Sequence, residues 1–132
     1  MGARTVQELV CYQLAEEFTK ACVAVSATEV FAEEWRFRND FRAAARSVPA
    51  NIAEGFSRRS HLEFARFLEI ALSSLTEAEH HLRAACTSGY ISPQEELTCR
   101  TLAKRCGVAT SRLRNYLVKN PGRASTSRTC RT

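Results

Sequence analysis

Four groups of residues in this 132-residue chain have types and spacing that could do chemistry. His80 and His81 follow Glu77, and the i, i+3 step from Glu77 to His80 puts both on one helix face. A metal site inside a helical bundle needs matching carboxylates on facing helices. The other helical stretches offer no such Glu-x-x-His pair, so no metal or cofactor is expected and both histidines are read as facing solvent. Asn51 and Glu54 are the one polar pair in a distinctive setting, just after Pro49. They are expected to cap backbone groups or bridge subunits rather than catalyse. Six cysteines form no C-x-x-C pair. Cys99 and Cys106 lie seven apart on one helix, about 10 Å along its axis and too far for a disulfide, so mostly buried free thiols are expected. No glycine-rich phosphate loop, G-x-S-x-G or H-E-x-x-H is present. No catalytic residue is assigned, and the chain is read as not an enzyme.

The fourth group is cationic. It comprises Arg58, Arg59, Arg100, Lys104, Arg105, Arg112, Arg114, Lys119 and Arg123. The net charge of +5 hides an asymmetry: residues 1–96 hold ten Lys/Arg and fourteen Asp/Glu, whereas residues 97–132 hold nine Lys/Arg and no acid. Such a basic arm suits an anionic partner. Arginine forks grip phosphate well. With no zinc finger and no aromatic RNA-reading platform, binding to RNA or DNA is expected to be driven by shape and charge.

The elements that position these groups are helices. Five Gly and three Pro among abundant Ala, Leu, Glu and Arg favour an all-α chain. Thr5 and Glu8 read as a capping box for a first helix from about Val6 to Ser26, with Val6, Val10, Leu14, Phe18, Ala21, Cys22 and Val25 inward. A short link at Ala27-Thr28 precedes the second helix. There Phe37, Phe41, Ala44, Val48 and Ile52 form one apolar stripe. Pro49 is expected to bend this helix, and Gly55 to end it. Its flanks are a basic row, Arg38, Arg42 and Arg46, and an edge with Asp40, Ser47, Asn51 and Glu54. If one subunit's basic edge meets its neighbour's acidic edge, the contact is heterologous and can close a ring. Arg38, Arg42, Arg46, Ser47, Asn51 and Glu54 are the expected interface residues.

Ser60 and Glu63 start a third helix whose Phe64, Leu68, Ala71, Leu75, Ala78, Leu82 and Ala85 make a heptad seam. Gly89 is a natural stop. Ser92, Pro93 and Glu95 open the last helix, with Leu97, Leu102, Cys106, Ala109, Leu113 and Leu117 inward. Residues 1–118 are thus expected to form the bundle and 119–132 a basic, disordered tail.

The ordered string Arg42, Ala44, Ala45, Ser47, Val48, Pro49, Asn51, Ile52, Ala53, Glu54, Gly55 resembles the signature of a bacterial four-helix-bundle family encoded in intervening sequences of 23S rRNA genes. The likeness continues through Arg58, Ser60, Glu63, Phe64, Arg66, Phe67, Leu68, Ile70, Ala71, Leu72, Ser74, Leu75 and Glu77, and resumes at Gly89-Tyr90-Ile91-Ser92. It covers residues about 35–95. Arg46 departs from it, standing where an apolar residue is usual. The resemblance implies an antiparallel, up-down-up-down four-helix bundle assembling as a homopentameric ring. A related branch comprises accessory proteins of diversity-generating retroelements, which bind nucleic acid and a reverse transcriptase through a basic surface. Two readings therefore stand: a nucleic-acid-binding ring, or a structural, protein-recruiting ring without nucleic acid. The N-terminus has no signal-peptide or lipid pattern and no apolar run reaches membrane-span length. A cytoplasmic protein with no membrane partner is expected.

Overall fold

Three of the helices begin where a side chain satisfies the backbone. A computed structural model describes residues 2–122. A 3-10 turn at Val6–Glu8 precedes five helices: α1 (Val10–Val25), α2 (Glu29–Glu33), α3 (Trp35–Phe56), α4 (His61–Thr87) and α5 (Pro93–Lys119). At the start of α5 the Ser92 hydroxyl accepts from Glu95 N–H at 3.0 Å, and the Glu95 carboxylate accepts from Ser92 N–H at 2.8 Å. Ser60 caps α4 by accepting from Glu63 N–H. Gly89 ends α4 at φ +81°, a conformation glycine adopts without strain. Tyr90 N–H then reaches the Ala85 carbonyl and Gly89 N–H the Cys86 carbonyl, the paired bonds of a Schellman stop.

The expected capping box at Thr5 forms differently. Thr5 makes no side-chain cap; instead the Glu8 carboxylate accepts from Arg4 N–H. Leu9 is then extended, and α1 begins only at Val10. This break resets the helical phase, so Leu9 and Cys11 enter the core and Val10, expected inward, is 62% exposed. The expected link at Ala27-Thr28 also gains structure. Thr28 caps the short α2, which delivers Phe31 into a cluster with Phe37, Phe41 and Tyr90, ring centroids 5.4–5.9 Å from its own.

Helix α1 packs against α3 and α5, and α4 packs against α3 and α5; the diagonal pairs do not meet. Cross-helix contacts run Thr19 to Ala45, Ser47 to Ser74, Glu69 to Arg114 and Cys11 to Cys106. Second contacts give the direction: Arg42 meets Ser26, Gly55 nears Phe64, His61 meets Asn120 and Cys22 meets Cys99, so along each adjacent pair the contact positions rise on one helix as they fall on the other, and all four pairs are antiparallel. The result is an up-down-up-down four-helix bundle with α2 as an added turn. All seven expected seam residues of α4 are buried. In α5 the expected face is rotated: Cys99, Ala103, Cys106, Thr110 and Leu117 are buried, while Leu97 is 45% exposed.

Pro49 lies inside a continuous α3. Lacking an N–H, it leaves the Ala45 carbonyl, four residues earlier, without its helical donor. Thr19 of α1 supplies one: its Oγ1 lies 3.0 Å from the Ala45 carbonyl and 2.9 Å from that of Ala15, and its single proton is shared between them. Gly55 does not end α3, which continues to Phe56. A Cβ there would sit 2.8 Å from Phe64 Cδ1 and from Phe67 Cβ, so the glycine permits the close approach of α3 and α4.

Two stability outcomes follow. Thr19→Val leaves a carbonyl unpaired and should cost about 1–3 kcal/mol in urea unfolding. In a Pro49→Ala background, where the new N–H serves Ala45, the cost should fall by more than half; an unchanged cost in the double-mutant cycle would dissociate Thr19 from the proline. Gly55→Ala should lose about 1–3 kcal/mol through overpacking, contrary to the gain helix propensity alone would give, and thermal unfolding decides the sign.

Candidate nucleic-acid interface

The close approach at Gly55 makes the α3–α4 connection short, and that connection carries Arg58 and Arg59. Arg58 is partly committed: its Nη2 donates to the Glu54 carboxylate at 2.8 Å, and its guanidinium lies over the Phe67 ring, 4.7 Å from the centroid. Arg66 approaches the same ring at 5.7 Å. Cation–π contacts of this kind hold a guanidinium in place without neutralising it. Arg59 is exposed and makes no ion pair with another described residue.

His61, the first residue of α4, fastens this corner to the end of α5. It is 1% exposed, and its Nδ1 bonds the Asn120 backbone carbonyl. A carbonyl only accepts, so Nδ1 carries the proton. Asn120 in turn donates its side-chain amide to the Tyr116 carbonyl at 2.9 Å. Eight residues further along α4 than this latch, Glu69 accepts from Arg114 of α5 at 3.0 Å. The fold thereby gathers Arg58, Arg59, Arg66, Arg112, Arg114 and Lys119 at one end of the bundle. Sequence reading did not single out His61, although the 61, 64, 68, 71 spacing places it on the buried seam.

The other expected cations do not join them. Arg100, Lys104 and Arg105 sit further back along α5; Arg100 and Lys119 are about 28 Å apart along the axis. Arg100 pairs with Glu96 at 3.5 Å. Arg123, and the expected tail from there to residue 132, lie outside the described residues.

Of the six expected interface residues, four have partners within the chain. Arg42 donates from Nε to Ser26 Oγ at 2.8 Å and from Nη2 to the Val23 carbonyl at 3.2 Å, closing the C-terminal end of α1 where a cation is favoured. Burial, and then the neighbouring charges of Arg38 and Arg46, lower its pKa. Ser47 bonds Ser74 of α4 at 2.8 Å, and Asn51 donates to Ser47's carbonyl and hydroxyl. Glu54 holds Arg58. Arg46 is exposed, and Arg38 is half-buried with its Nε lacking a partner among the described residues.

The histidines also differ from expectation. His80 is exposed, but His81 is half-buried, set edge-on to Phe37 at 5.6 Å and facing Glu77 at 3.6 Å. Among the described residues no three His, Cys, Asp or Glu side chains are grouped to hold a metal. Cys11, Cys22, Cys99 and Cys106 are buried free thiols, Cys86 is half-buried, and Cys130 lies outside the described residues. Burial pushes Cys11 and Cys106 up to about 11. A hydrogen bond with Cys99, together with burial, pushes Cys22 well above its ordinary value. These three thiols are protonated at neutral pH and poor nucleophiles.

The family model of 23S rRNA-intervening sequence proteins matches residues 7–111. The chain belongs to this family. The match extends well beyond the Arg42–Glu77 string to include α1 and most of α5. In this family member the cations of the last turns, Arg112, Arg114 and Lys119, lie past the matched span. Comparison with curated proteins gives no match.

The intrachain role of Arg42 has a direct test. Arg42→Met keeps the aliphatic stem but removes both donors, and should lower monomer stability by roughly 1.5–3 kcal/mol in urea titration. Intact stability with loss of assembly in light scattering would instead assign the fork to a neighbouring subunit.

Proposed function

We propose that this protein is a non-enzymatic, cytosolic helical module that assembles into a homo-oligomeric ring, a pentamer as the family resemblance implies. In this reading it binds RNA or DNA through the basic end of each bundle. The observation that carries the reading is the convergence of Arg58 and Arg59 with the last turns of α5, held by the His61–Asn120 bond and the Glu69–Arg114 pair. Arg59, Arg66, Arg112 and Lys119 make no ion pair with another described residue, so their charge is free for phosphate. Free cations on a rigid end displace counterions on binding, which makes affinity steeply salt dependent. Repetition around a ring multiplies weak contacts by avidity. A reverse transcriptase is a further proposed partner if the gene lies in a retroelement.

The test is fluorescence anisotropy with labelled structured RNA and duplex DNA across a salt series. The wild type should bind in dilute salt, with affinity falling linearly on a log–log plot. Arg59→Glu combined with Lys119→Glu should weaken binding at least about tenfold and flatten the slope by roughly 0.9 for each lost DNA phosphate contact. Light scattering should give a particle five times the 14.8 kDa chain. A particle of that size with no binding at low salt would favour the protein-recruiting ring.

A further inference from the structure

A second feature of α5 is independent of the basic end. Besides its buried seam, α5 repeats a 4,3 spacing on its outer side from Leu97 through Lys104 and Val108 to Val118. Leu97, Val108 and Val118 are 45%, 44% and 46% exposed and fall on one stripe. Under the first two-thirds of this stripe runs a groove of about 700 Å³ between α4 and α5. Its walls include Leu72, Leu75, Ala103 and Gly107. Gly107 keeps the floor open: a Cβ there would be 3.4 Å from Leu75 Cδ2. Aliphatic residues in heptad register beside a groove floored by leucine and alanine and edged by polar side chains give another helix a surface to pack on.

Charge selects the occupant. Lys104 lies on the rim and Arg105 on the same outer side of α5, and neither makes an ion pair with another described residue. Glu79 is the one carboxylate among the groove's lining residues. Between Leu97 and Lys119 α5 carries no acid, so its side of the groove offers an occupant cations and no carboxylate. A phosphate backbone gains nothing from an aliphatic floor. We infer that the α4–α5 groove docks an acidic amphipathic helix of a partner protein, its apolar face on Leu97 and Val108 and its carboxylates toward Lys104 and Arg105.

The probe is a fluorescent peptide of about three heptads, leucine at the a and d positions and glutamate at e and g, with a twin carrying lysine at e and g. Measured by anisotropy against the full chain, the glutamate peptide should bind at least about tenfold more tightly than the lysine twin. Val108→Glu and, separately, Leu97→Gln should each weaken it several-fold with helix content unchanged by circular dichroism. Lys104→Glu should narrow the gap between the peptides, and Arg59→Glu should leave it as it was. Equal binding of both peptides, or of neither, overturns the proposal. So does a Val108→Glu variant that changes the particle mass, which would make the groove a contact between copies, or one that weakens RNA instead of the peptide.

Discussion

The fold depends on how one missing hydrogen bond is supplied. Pro49 removes a donor from the middle of α3, within the span the family model matches. A buried carbonyl without a donor costs about as much as a sizeable fraction of a small domain's net stability. Thr19 resolves this from another helix, because its hydroxyl reaches the Ala45 carbonyl across the α1–α3 interface. The local defect in α3 thus becomes a fixed register between α1 and α3. From that register follow the Arg42 closure of α1 and, through the close contact at Gly55, the placement of α4. The proline acts as a tertiary specifier, and a helix broken at that point would have no such tie.

Arginine is divided between structure and surface in a way its chemical uniformity conceals. Arg42 closes a helix end, Arg58 lies on Phe67 and is held by Glu54, and Arg114 ties α5 to α4. Arg59, Arg105 and Arg112 carry unpaired charge. A planar fork with five donors suits both tasks, so the division is made by neighbours and not by residue type. It also separates two surfaces on α5. The end near Lys119 is cationic and joined to the α3–α4 corner, whereas the side at Leu97 and Val108 is aliphatic with a cationic rim.

Much of the fold was legible in the sequence, for a physical reason. Where one helix buries one uniform face, period and burial coincide, and the α4 seam is read correctly residue by residue. The caps at Ser60 and Ser92 and the stop at Gly89 are equally local, since the groups that satisfy one another lie within four or five residues. The reading fails where side-chain size or a break outweighs hydropathy. Leu9 shifts the phase of α1, and in α5 the smaller Cys99 and Ala103 displace Leu97 from the core. It fails again at Phe31, because a five-residue helix has too little periodicity to register.

What the sequence by itself determined is the class of the protein: an all-α bundle with its helix ends, its main apolar seams, its charge asymmetry and its family. What the tertiary structure alone decided is the assignment of polar residues to roles. Thr19 with Ala45, His61 with Asn120, Arg42 with Ser26 and Ser47 with Ser74 are separated by 26, 59, 16 and 27 residues. Hydrogen bonds act over about 3 Å and are blind to sequence distance. A periodic pattern can therefore announce a buried face, but only the packed helices decide which polar groups meet, and which arginines are left free for a partner.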